Sequence, residues 1–392
     1  MLIGLVGKPS AGKSTFFKAC TLADVLIAAY PFATIKPNHG IGYVKIDCIE
    51  KDFKTKCNPQ KGYCVNGKRF VPVELMDVAG LVTGASEGKG LGNEFLNDLS
   101  NADAFIHIVD VSGETNAEGK EVRGYDPLQD VVMLEKELDL WYAGILKKVW
   151  RVFSKTVQNE KSDLAKAIAK QFSGLKVDEH DVKQIFLKKK YPEKVLDWTQ
   201  EDLLDFAHRL RHVSKPMIIA ANKMDKKDSE KNLARLRAAY PDVKIIPMSA
   251  DYELTLREAT SRSFILYVPG EHDFTIVKPL NEKQTAALEH IRQFLKTYNG
   301  TGVQEILNFL VFDLLHYLPI FPASANRLSD SKGNILPDCF LLPRGSTALD
   351  FAFFIHSDLG NNFIRAIDAR TKRVLGKEYV LKFGDALEII TR

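Results

Sequence analysis

The sequence predicts an α/β fold in which a doubly wound, mostly parallel sheet is interrupted by a helical insertion and followed by a small α+β module. Three observations support this prediction. Short apolar runs bounded by turn residues alternate with helical stretches, as in doubly wound sheets. Between about residues 126 and 212 no strand pattern occurs, and the apolar spacing is helical. The end of the chain has short β-rich runs around one helix.

Length and composition limit the class of protein. A chain of 392 residues can form two or three domains, each with its own core. Its 54 basic residues against 50 acidic ones permit a nucleic-acid partner without requiring one. No apolar run reaches the roughly 20 residues of a membrane helix, and no signal peptide is visible. We therefore expect a cytoplasmic protein with no membrane partner.

Five apolar runs are predicted to be the strands of the sheet, and a helix is predicted to open at Ser14. The runs are 2–6, 73–76, 104–109, 217–221 and 244–247. Further helices are expected around 164–172 and 182–187, and from Thr199, a good capping residue. Steps of three and four predict one long helix in the insertion, with an apolar stripe of Val131, Leu134, Leu138, Trp141, Ile145, Val149 and Val152.

Later elements are predicted in the same way. Two helices are expected over 282–298 and 303–318, and the proline-containing stretch 318–322 is interpreted as a boundary. The last module should contain a helix from Ser346 or Thr347 and strands at Val374, 379–383 and 387–390. The predicted domains are residues 1–125 with 213–318, the helical insertion 126–212, and the module 319–392.

A phosphate-binding loop is predicted where Gly7-Lys8-Pro9-Ser10-Ala11-Gly12-Lys13-Ser14 matches G-x-x-x-x-G-K-[ST]. It follows a strand and opens a helix, which is the context this motif requires. Backbone N–H groups then face phosphate oxygens, Lys13 faces the outer phosphates, and the Ser14 hydroxyl ligates Mg²⁺. The residues expected to bind the phosphates are Gly7, Ser10, Ala11, Gly12, Lys13, Ser14 and Thr15.

Two further segments are expected beside this loop. Asp77-Val78-Ala79-Gly80 follows an apolar strand, so Asp77 should hold Mg²⁺ through water and the Gly80 N–H should contact the γ-phosphate. Thr34 is the candidate switch threonine, whose hydroxyl and carbonyl respond to the metal and the γ-phosphate. Lys13, Thr34 and Gly80 are thus expected at the reacting phosphate. Ser14, Thr34 and Asp77 are expected at the metal.

A base-recognition segment is predicted at Asn222-Lys223-Met224-Asp225, which ends a later strand. Asp225 can accept hydrogen bonds from N1–H and the 2-amino group of guanine, a donor pair that adenine lacks. Lys223 would lie against the base and ribose, and Asn222 would tie the segment to the phosphate loop. Ser249 and Ala250 follow the next strand and would supply a backbone N–H to guanine O6.

Together these motifs resemble the Obg-like translation-factor GTPases, specifically the YchF-type branch of P-loop NTPases. The resemblance rests on the phosphate loop, YPFATI at 30–35, DVAGLV before a glycine-rich stretch at 84–92, NKMD and SA. LPRGST at 342–347 and FGDALEI at 383–389 resemble a TGS domain, which is a β-grasp unit. The resemblance implies a coiled-coil domain at the insertion and a ribosome, or ribosomal or transfer RNA, as partner.

The activity implied is slow hydrolysis of GTP to GDP and phosphate with Mg²⁺ by a monomer that acts as a nucleotide-dependent switch. Leu81 stands where Ras-like enzymes have a glutamine that orients the attacking water, so we expect a partner to raise the rate. One alternative is a nucleotide-sensing scaffold with negligible turnover. Another is an ATPase, since the branch is associated with a preference for ATP, but the intact NKMD segment opposes it.

Two weaker patterns remain open. Lys147, Lys148, Arg151 and Lys155 follow the polar side of the long helix, as a solvated face or as a contact to ribosomal RNA. Three of the five cysteines, Cys48, Cys57 and Cys64, lie close in sequence. Reduced thiols are the default in the cytosol, a disulfide is an alternative, and their spacing lacks the C-x-x-C of common zinc sites.

Overall fold

The computed structural model describes residues 1–22, 38–78, 80, 84, 98–160, 163–324, 328–329, 333–336 and 338–392, with backbone alone for 159–160. The chain forms two compact units. The first contains Met1–Ile41 and Glu74–Ile306, and the second contains Gly42–Val73 and Leu307–Arg392. None of the helices in these ranges has both the length and the apolar content needed to cross a membrane.

The predicted α/β sheet is present. Its strands run in the order β2-β4-β1-β5-β6-β7, with β3 antiparallel to β4. Strand β1 is parallel to β4 and β5, β5 to β6, and β6 to β7, so the carboxyl ends of these strands share one edge. The strands are β1 (Leu2–Val6), β2 (Asn38–Asp47), β3 (Tyr63–Val65), β4 (Lys68–Asp77), β5 (Ala104–Asp110), β6 (Met217–Asn222) and β7 (Ile245–Pro247).

Burial explains why the apolar runs form the centre of this sheet. All seven residues of β5 are buried, as expected for a parallel strand covered on both faces. Strand β2 is missing from the sequence prediction because its residues alternate between buried and exposed positions and include polar side chains. The five predicted runs lie within the observed strands, apart from Lys244, which precedes β7.

All regular secondary structure in the described residues of the insertion is helical. Thr199 caps its last helix and forms a capping box with Asp202, as its residue type predicts. The predicted stripe is correct at its start but wrong at Val152, which is 73% exposed. The buried row continues instead through Leu146, Trp150 and Val157, because a 3.6-residue helix drifts away from a fixed seven-residue spacing. The helices are α2 (Leu128–Glu160), α3 (Leu164–Gln171), α4 (Glu179–Lys188) and α5 (Gln200–Ser214).

The remaining elements of the first unit follow β6 along the chain. The helix predicted over 282–298 is observed with those bounds as α8, whereas the next one is shorter than predicted. That helix, α9 (Val303–Asn308), continues as a π-helical turn to Leu314, and residue 317 already begins a strand. The other elements are α6 (Ser229–Ala239), α7 (Ala250–Ser261), β8 (Ile265–Leu266), β9 (Thr275–Ile276) and α8 (Glu282–Tyr298).

The second unit contains a five-stranded sheet in the order β11-β10-β14-β12-β13. The stretch interpreted as a boundary is strand β10, because burial of Leu318, Ile320 and Phe321 outweighs the missing N–H of its prolines. The strand predicted over 379–383 is wrong, since only Val380 makes an isolated bridge before a turn. Thr347 caps α10 as expected. The elements are β10 (Tyr317–Pro322), β11 (Phe340–Pro343), α10 (Ala348–Ile355), α11 (Ser357–Asn361), β12 (Phe363–Asp368), β13 (Val374–Leu375) and β14 (Ala386–Thr391).

The two units do not coincide with the three predicted domains. Residues 42–73 group with the end of the chain, although the sequence prediction assigned them to the first domain. The buried Arg69 donates from Nη1 to the carbonyl of Leu336 at 3.0 Å. The Lys45 N–H donates to Asn308 Oδ1 at 2.8 Å, and Asn308 Nδ2 donates back to the Lys45 carbonyl at 2.8 Å.

Candidate functional site

The predicted phosphate loop connects β1 to helix α1 (Lys13–Thr21) at the carboxyl edge of the sheet. The first-turn N–H groups of this helix have no acceptor within the helix, which favours an anion at this point. Gly12 has a φ of 101°, and a Cβ there would lie 2.2 Å from Asn222 Nδ2. A glycine is therefore required, and it lets Asn222 Nδ2 donate to the Ala11 carbonyl at 2.8 Å.

Other residues of the loop are placed as follows. Ser10 has a φ of 60°, and its buried hydroxyl has no hydrogen-bond partner within the described residues. Thr15 is half-buried on α1. Lys13 is buried and donates from Nζ to the carbonyls of Gly7 at 3.1 Å and Lys8 at 2.9 Å. Burial lowers the pKa of Lys13 to about 8, against the opposing effect of Asp77.

A hydroxyl and a carboxylate meet beside this loop. Ser14 Oγ donates to Asp77 Oδ2 at 2.7 Å, and Asp77 is fully buried at the end of β4. Burial raises the pKa of the Asp77 carboxyl, although Lys13 and Ser14 oppose the shift. Its other oxygen, Oδ1, is buried without a hydrogen-bond partner in the described part of the chain. An orphaned carboxylate oxygen beside a hydroxyl is a donor set that suits Mg²⁺.

The predicted base-recognition residues also lie together. Ser249 Oγ donates to Asp225 Oδ1 at 2.8 Å and accepts from the Tyr252 N–H at 3.3 Å, so the cap of α7 orients this carboxylate. The Asp225 side chain is 8% exposed. The Ala250 N–H donates to Asn222 Oδ1 at 3.1 Å, and the Ser249 N–H donates to the Thr301 carbonyl at 3.0 Å. Both N–H groups thus already have an acceptor, so the predicted contact to guanine O6 would require one of them to donate to two acceptors at once.

Lys223 lies in the left-handed region and donates from Nζ to Asp110 Oδ2 at 2.7 Å. Burial would raise the pKa of the Asp110 carboxyl, but Lys223, Ser112 and Thr115 together lower it. The ammonium is thus fixed by an acceptor at the end of β5, and the methylene stem remains available for a base. Sequence reasoning missed Asp110. Its signal was a carboxylate at the end of an apolar strand, the same pattern that indicated Asp77.

A second buried ion pair lies beside the phosphate loop. Lys8 Nζ is 2.9 Å from Asp130 Oδ2 and donates to the Thr115 carbonyl at 2.6 Å. Tyr125 Oη donates to Asp130 Oδ1 at 2.8 Å, and its ring lies under the Lys8 ammonium. This network connects the loop to the first turn of α2. No motif indicated it, because the second position of the loop is variable and Asp130 resembles an ordinary helix-start residue.

The segment after Asp77 packs closely on the phosphate loop. A Cβ at Gly80 would lie 2.7 Å from the backbone nitrogen of Pro9, so only glycine fits there. Farther on, the buried Gly84 donates its N–H to Glu137 Oε1 of α2 at 2.7 Å. Thr34 and Leu81 lie outside the described residues.

Family models match most of the chain. A 50S ribosome-binding GTPase model matches residues 2–137, and the model described as "Obg-like GTPase YGR210-like, G4 motif-containing domain" matches 220–324. A TGS domain model matches 332–391.

Individual proteins agree with these models. An uncharacterized GTP-binding protein of Methanocaldococcus jannaschii is 47% identical, and the match covers 100% of this chain and 99% of the relative. The Ribosome-binding ATPase YchF of Bacillus subtilis is 29% identical over 98% and 97% of the two chains. The crystal structure of a GTP binding protein from Pyrococcus horikoshii OT3 is similar with a TM-score of 0.79, 39% identity and full coverage of both chains. The chain therefore belongs to the Obg-like GTPases and carries a C-terminal TGS domain.

Proposed function

We propose that this protein binds GTP with Mg²⁺, hydrolyses it slowly to GDP and phosphate, and uses the nucleotide state to control its affinity for the ribosome or an associated RNA. One observation carries the proposal. The hydrogen bond from Asn222 to the Ala11 carbonyl joins the base-recognition segment to the phosphate loop, while Asp225 is held in a buried position a few residues away.

Guanine is favoured over adenine by the chemistry of Asp225. A carboxylate has about four acceptor positions, and Ser249 occupies one of them, so Asp225 can still accept the paired N1–H and 2-amino donors of guanine. Adenine has no such pair and would leave this carboxylate unsatisfied, which costs several kcal/mol for a charged group. The name of the Bacillus subtilis relative suggests ATP as the alternative substrate.

The phosphates and the metal are assigned to the residues at the loop. Lys13 exchanges the carbonyls of Gly7 and Lys8 for outer phosphate oxygens. Ser14 and Asp77 Oδ1, with Thr34 from outside the described residues, would hold Mg²⁺, which neutralises charge developing on the β- and γ-phosphate oxygens. The Gly80 N–H donates to the γ-phosphate. With Leu81 in place of a water-orienting glutamine, the intrinsic rate is slow and a partner raises it.

Two contacts connect helix α2 to the nucleotide site, and through them the nucleotide state affects this helix. Asp130 pairs with Lys8 of the phosphate loop, and Glu137 accepts the N–H of Gly84, which follows the γ-phosphate segment. A change in that segment between GTP and GDP therefore acts directly on α2. The exposed face of the same helix carries Lys147, Lys148, Arg151 and Lys155, which suit the phosphates of RNA.

The same proposal includes a cytoplasmic location and a monomeric state. A ribosome-related role requires a cytoplasmic protein, and one nucleotide site with one output helix is sufficient in a monomer. A scaffold that binds GTP with negligible turnover is the second candidate, favoured by the apolar Leu81. Single-turnover hydrolysis with and without ribosomes distinguishes the two, since a scaffold releases no phosphate under either condition.

The variant Asp225→Asn tests whether this carboxylate selects guanine. The matched control is Asp228→Asn, three residues away, because Asp228 is exposed and its left-handed backbone also suits asparagine. The wild type and the control should bind GTP at least about 100-fold tighter than ATP, which corresponds to ~2.7 kcal/mol. Asp225→Asn should lose this preference and gain affinity for xanthosine triphosphate, which has a carbonyl in place of the amine. Equal affinity of the wild type for ATP and GTP would overturn the assignment.

A further inference from the structure

Outside the nucleotide site, three thiols and one carboxylate converge in the second unit. The ligand atoms of Cys48, Glu50, Cys57 and Cys64 all lie within 4.8 Å of one another. Cys48 Sγ is 3.6 Å from Cys57 Sγ, and Cys64 Sγ is 3.8 Å from Glu50 Oε1. In a tetrahedral zinc site two sulfur ligands lie about 3.8 Å apart and a sulfur and an oxygen ligand about 3.5 Å apart, so both distances are close to edges of such a tetrahedron.

The backbone around the cluster holds these side chains in place. Cys48 follows β2, and its N–H donates to the Gly67 carbonyl at 2.8 Å in the turn between β3 and β4. Cys64 lies on β3 itself, so one hairpin fixes two of the thiols. The Cys57 N–H donates to Glu50 Oε2 at 2.8 Å, which directs the second carboxylate oxygen towards Cys64. Outer hydrogen bonds that orient ligands are typical of protein metal sites.

The geometry points to a structural metal site: we propose that Cys48, Cys57, Cys64 and Glu50 bind one Zn²⁺ ion. Four ligands with no place for a substrate are typical of structural sites. Soft thiolate ligands select zinc over the magnesium used at the nucleotide site. The spacing C-x-E-x₆-C-x₆-C lacks the C-x-x-C pair of common zinc motifs, which explains why the sequence did not assign it.

The electrostatics of the cluster favour a cation. Three thiols and one carboxylate share this site, and a divalent cation would balance the negative charge of the carboxylate and of thiols that release their protons on binding it.

Metal content of the full chain, purified with reductant and without chelator, is the first test. We expect about one zinc per chain by elemental analysis, as for a four-ligand structural site. After removal of zinc, titration with Co²⁺ should produce thiolate-to-cobalt charge-transfer absorption and the visible bands of a tetrahedral ion. Absence of zinc together with absence of these bands would overturn the proposal, and so would a Cys48–Cys57 disulfide in the reduced preparation. These measurements use the natural chain, so they do not depend on the folding of any variant.

Variants then test the ligands. Cys57→Ser and Cys64→Ser should each weaken Co²⁺ binding by at least about 100-fold, since loss of an outer hydrogen bond alone costs 10–100-fold. Glu50→Gln should also weaken it. Cys339→Ser is the matched control, because Cys339 is a buried thiol of the same unit outside the cluster, and it should bind Co²⁺ like the wild type. Undiminished binding in both Cys57→Ser and Cys64→Ser would show that the metal lies elsewhere.

Discussion

His107 lies in the middle of the buried strand β5, close to the phosphate loop. A Cβ at Gly7 would be 3.6 Å from His107 Cδ2, and the ring is fully buried. Neither ring nitrogen has a hydrogen-bond partner within the described residues. Burial, with a smaller effect of the Lys13 charge, lowers the pKa of His107 to about 3. The folded protein therefore keeps this imidazole neutral.

This neutrality predicts a specific loss of stability in acid. An unfolded histidine titrates near 6.5, so below that pH the unfolded state gains a proton that the folded state does not take up. The free energy of unfolding should fall by about 1.4 kcal/mol per pH unit between about 6.5 and 3, or about 2 kcal/mol at pH 5. His107→Leu should remove this contribution, as measured by urea unfolding from pH 7 to pH 5 without nucleotide.

The control for His107→Leu is His272→Gln, which removes an exposed histidine of the same unit. Other titrating groups also contribute to acid unfolding, so the quantity compared is the difference between each variant and the wild type. If the free energy of unfolding changes with pH in the same way for His107→Leu and for the wild type, the prediction is contradicted.

At the residue scale, the sequence located the candidate site wherever a motif reports chemistry directly. Lys13, Ser14, Asp77, Asn222 and Asp225 are brought together in the first unit, although their roles remain predictions. The sequence did not reveal Lys8, Asp130 or His107, because their roles depend on contacts across more than 90 residues of chain. A lysine and an aspartate are ordinary surface residues until the fold buries them as a pair.

At the element scale, helix α2 combines two buried contacts near its start with a basic face farther along. Asp130 pairs with Lys8 and Glu137 accepts the N–H of Gly84, whereas Lys147, Lys148, Arg151 and Lys155 are exposed. Changing these four basic residues to alanine should weaken co-sedimentation with ribosomes about tenfold or more and reduce its salt dependence, because fewer counterions are released. The wild type should also bind more tightly with a non-hydrolysable GTP analogue than with GDP.

A matched variant controls for total charge. It replaces four exposed lysines elsewhere, Lys231, Lys283, Lys296 and Lys377, with alanine. If both variants lose ribosome binding equally, net charge rather than α2 determines the affinity. If neither loses it, the basic face of α2 is solvated surface. Identical wild-type binding in the two nucleotide states would exclude the switch.

The sequence predicted secondary-structure elements correctly where one kind of apolar pattern dominated. The runs of β1 and β5 were predicted because nearly all positions in a strand covered on both faces are apolar. Strand β10 was interpreted as a boundary because its prolines suggested a break, yet its alternate residues pack in the core. The apolar residues at 379–383 looked like a strand but lie before a turn at Gly384, where Lys382 donates its N–H to Asp385 Oδ2 at 2.8 Å. Local composition cannot distinguish these two cases.

At the scale of the whole molecule, the second unit is built from two distant stretches of chain. Arg69 and Phe70 from the first stretch are fully buried, and Asn58 exchanges hydrogen bonds with Ile335 from the second. A fragment of residues 307–392 should therefore unfold with low cooperativity, because it exposes the core positions that these residues cover. Fusion of 42–73 to 307–392 through a flexible linker should restore a cooperative thermal transition, measured by circular dichroism and calorimetry.

Arg69→Met in the fused fragment is the control for this comparison. It removes the donor to the Leu336 carbonyl and leaves a buried acceptor unpaired, so the transition should shift to lower temperature by several degrees. A fragment 307–392 that already unfolds as cooperatively as the fused form would contradict the assignment of 42–73 to this unit.

The separation of Arg69 and Leu336 along the chain also determines how long after Arg69 its acceptor is synthesised. The two residues are 267 positions apart. At about 5–20 residues per second, Arg69 is added to the chain roughly 13 to 53 s before Leu336. During that interval Phe70 and the Arg69 guanidinium lack part of the environment that buries them in the folded unit. The four proposed zinc ligands are all made within this early stretch, and a metal ion bound there would keep the β3–β4 hairpin folded until the rest of its unit arrives.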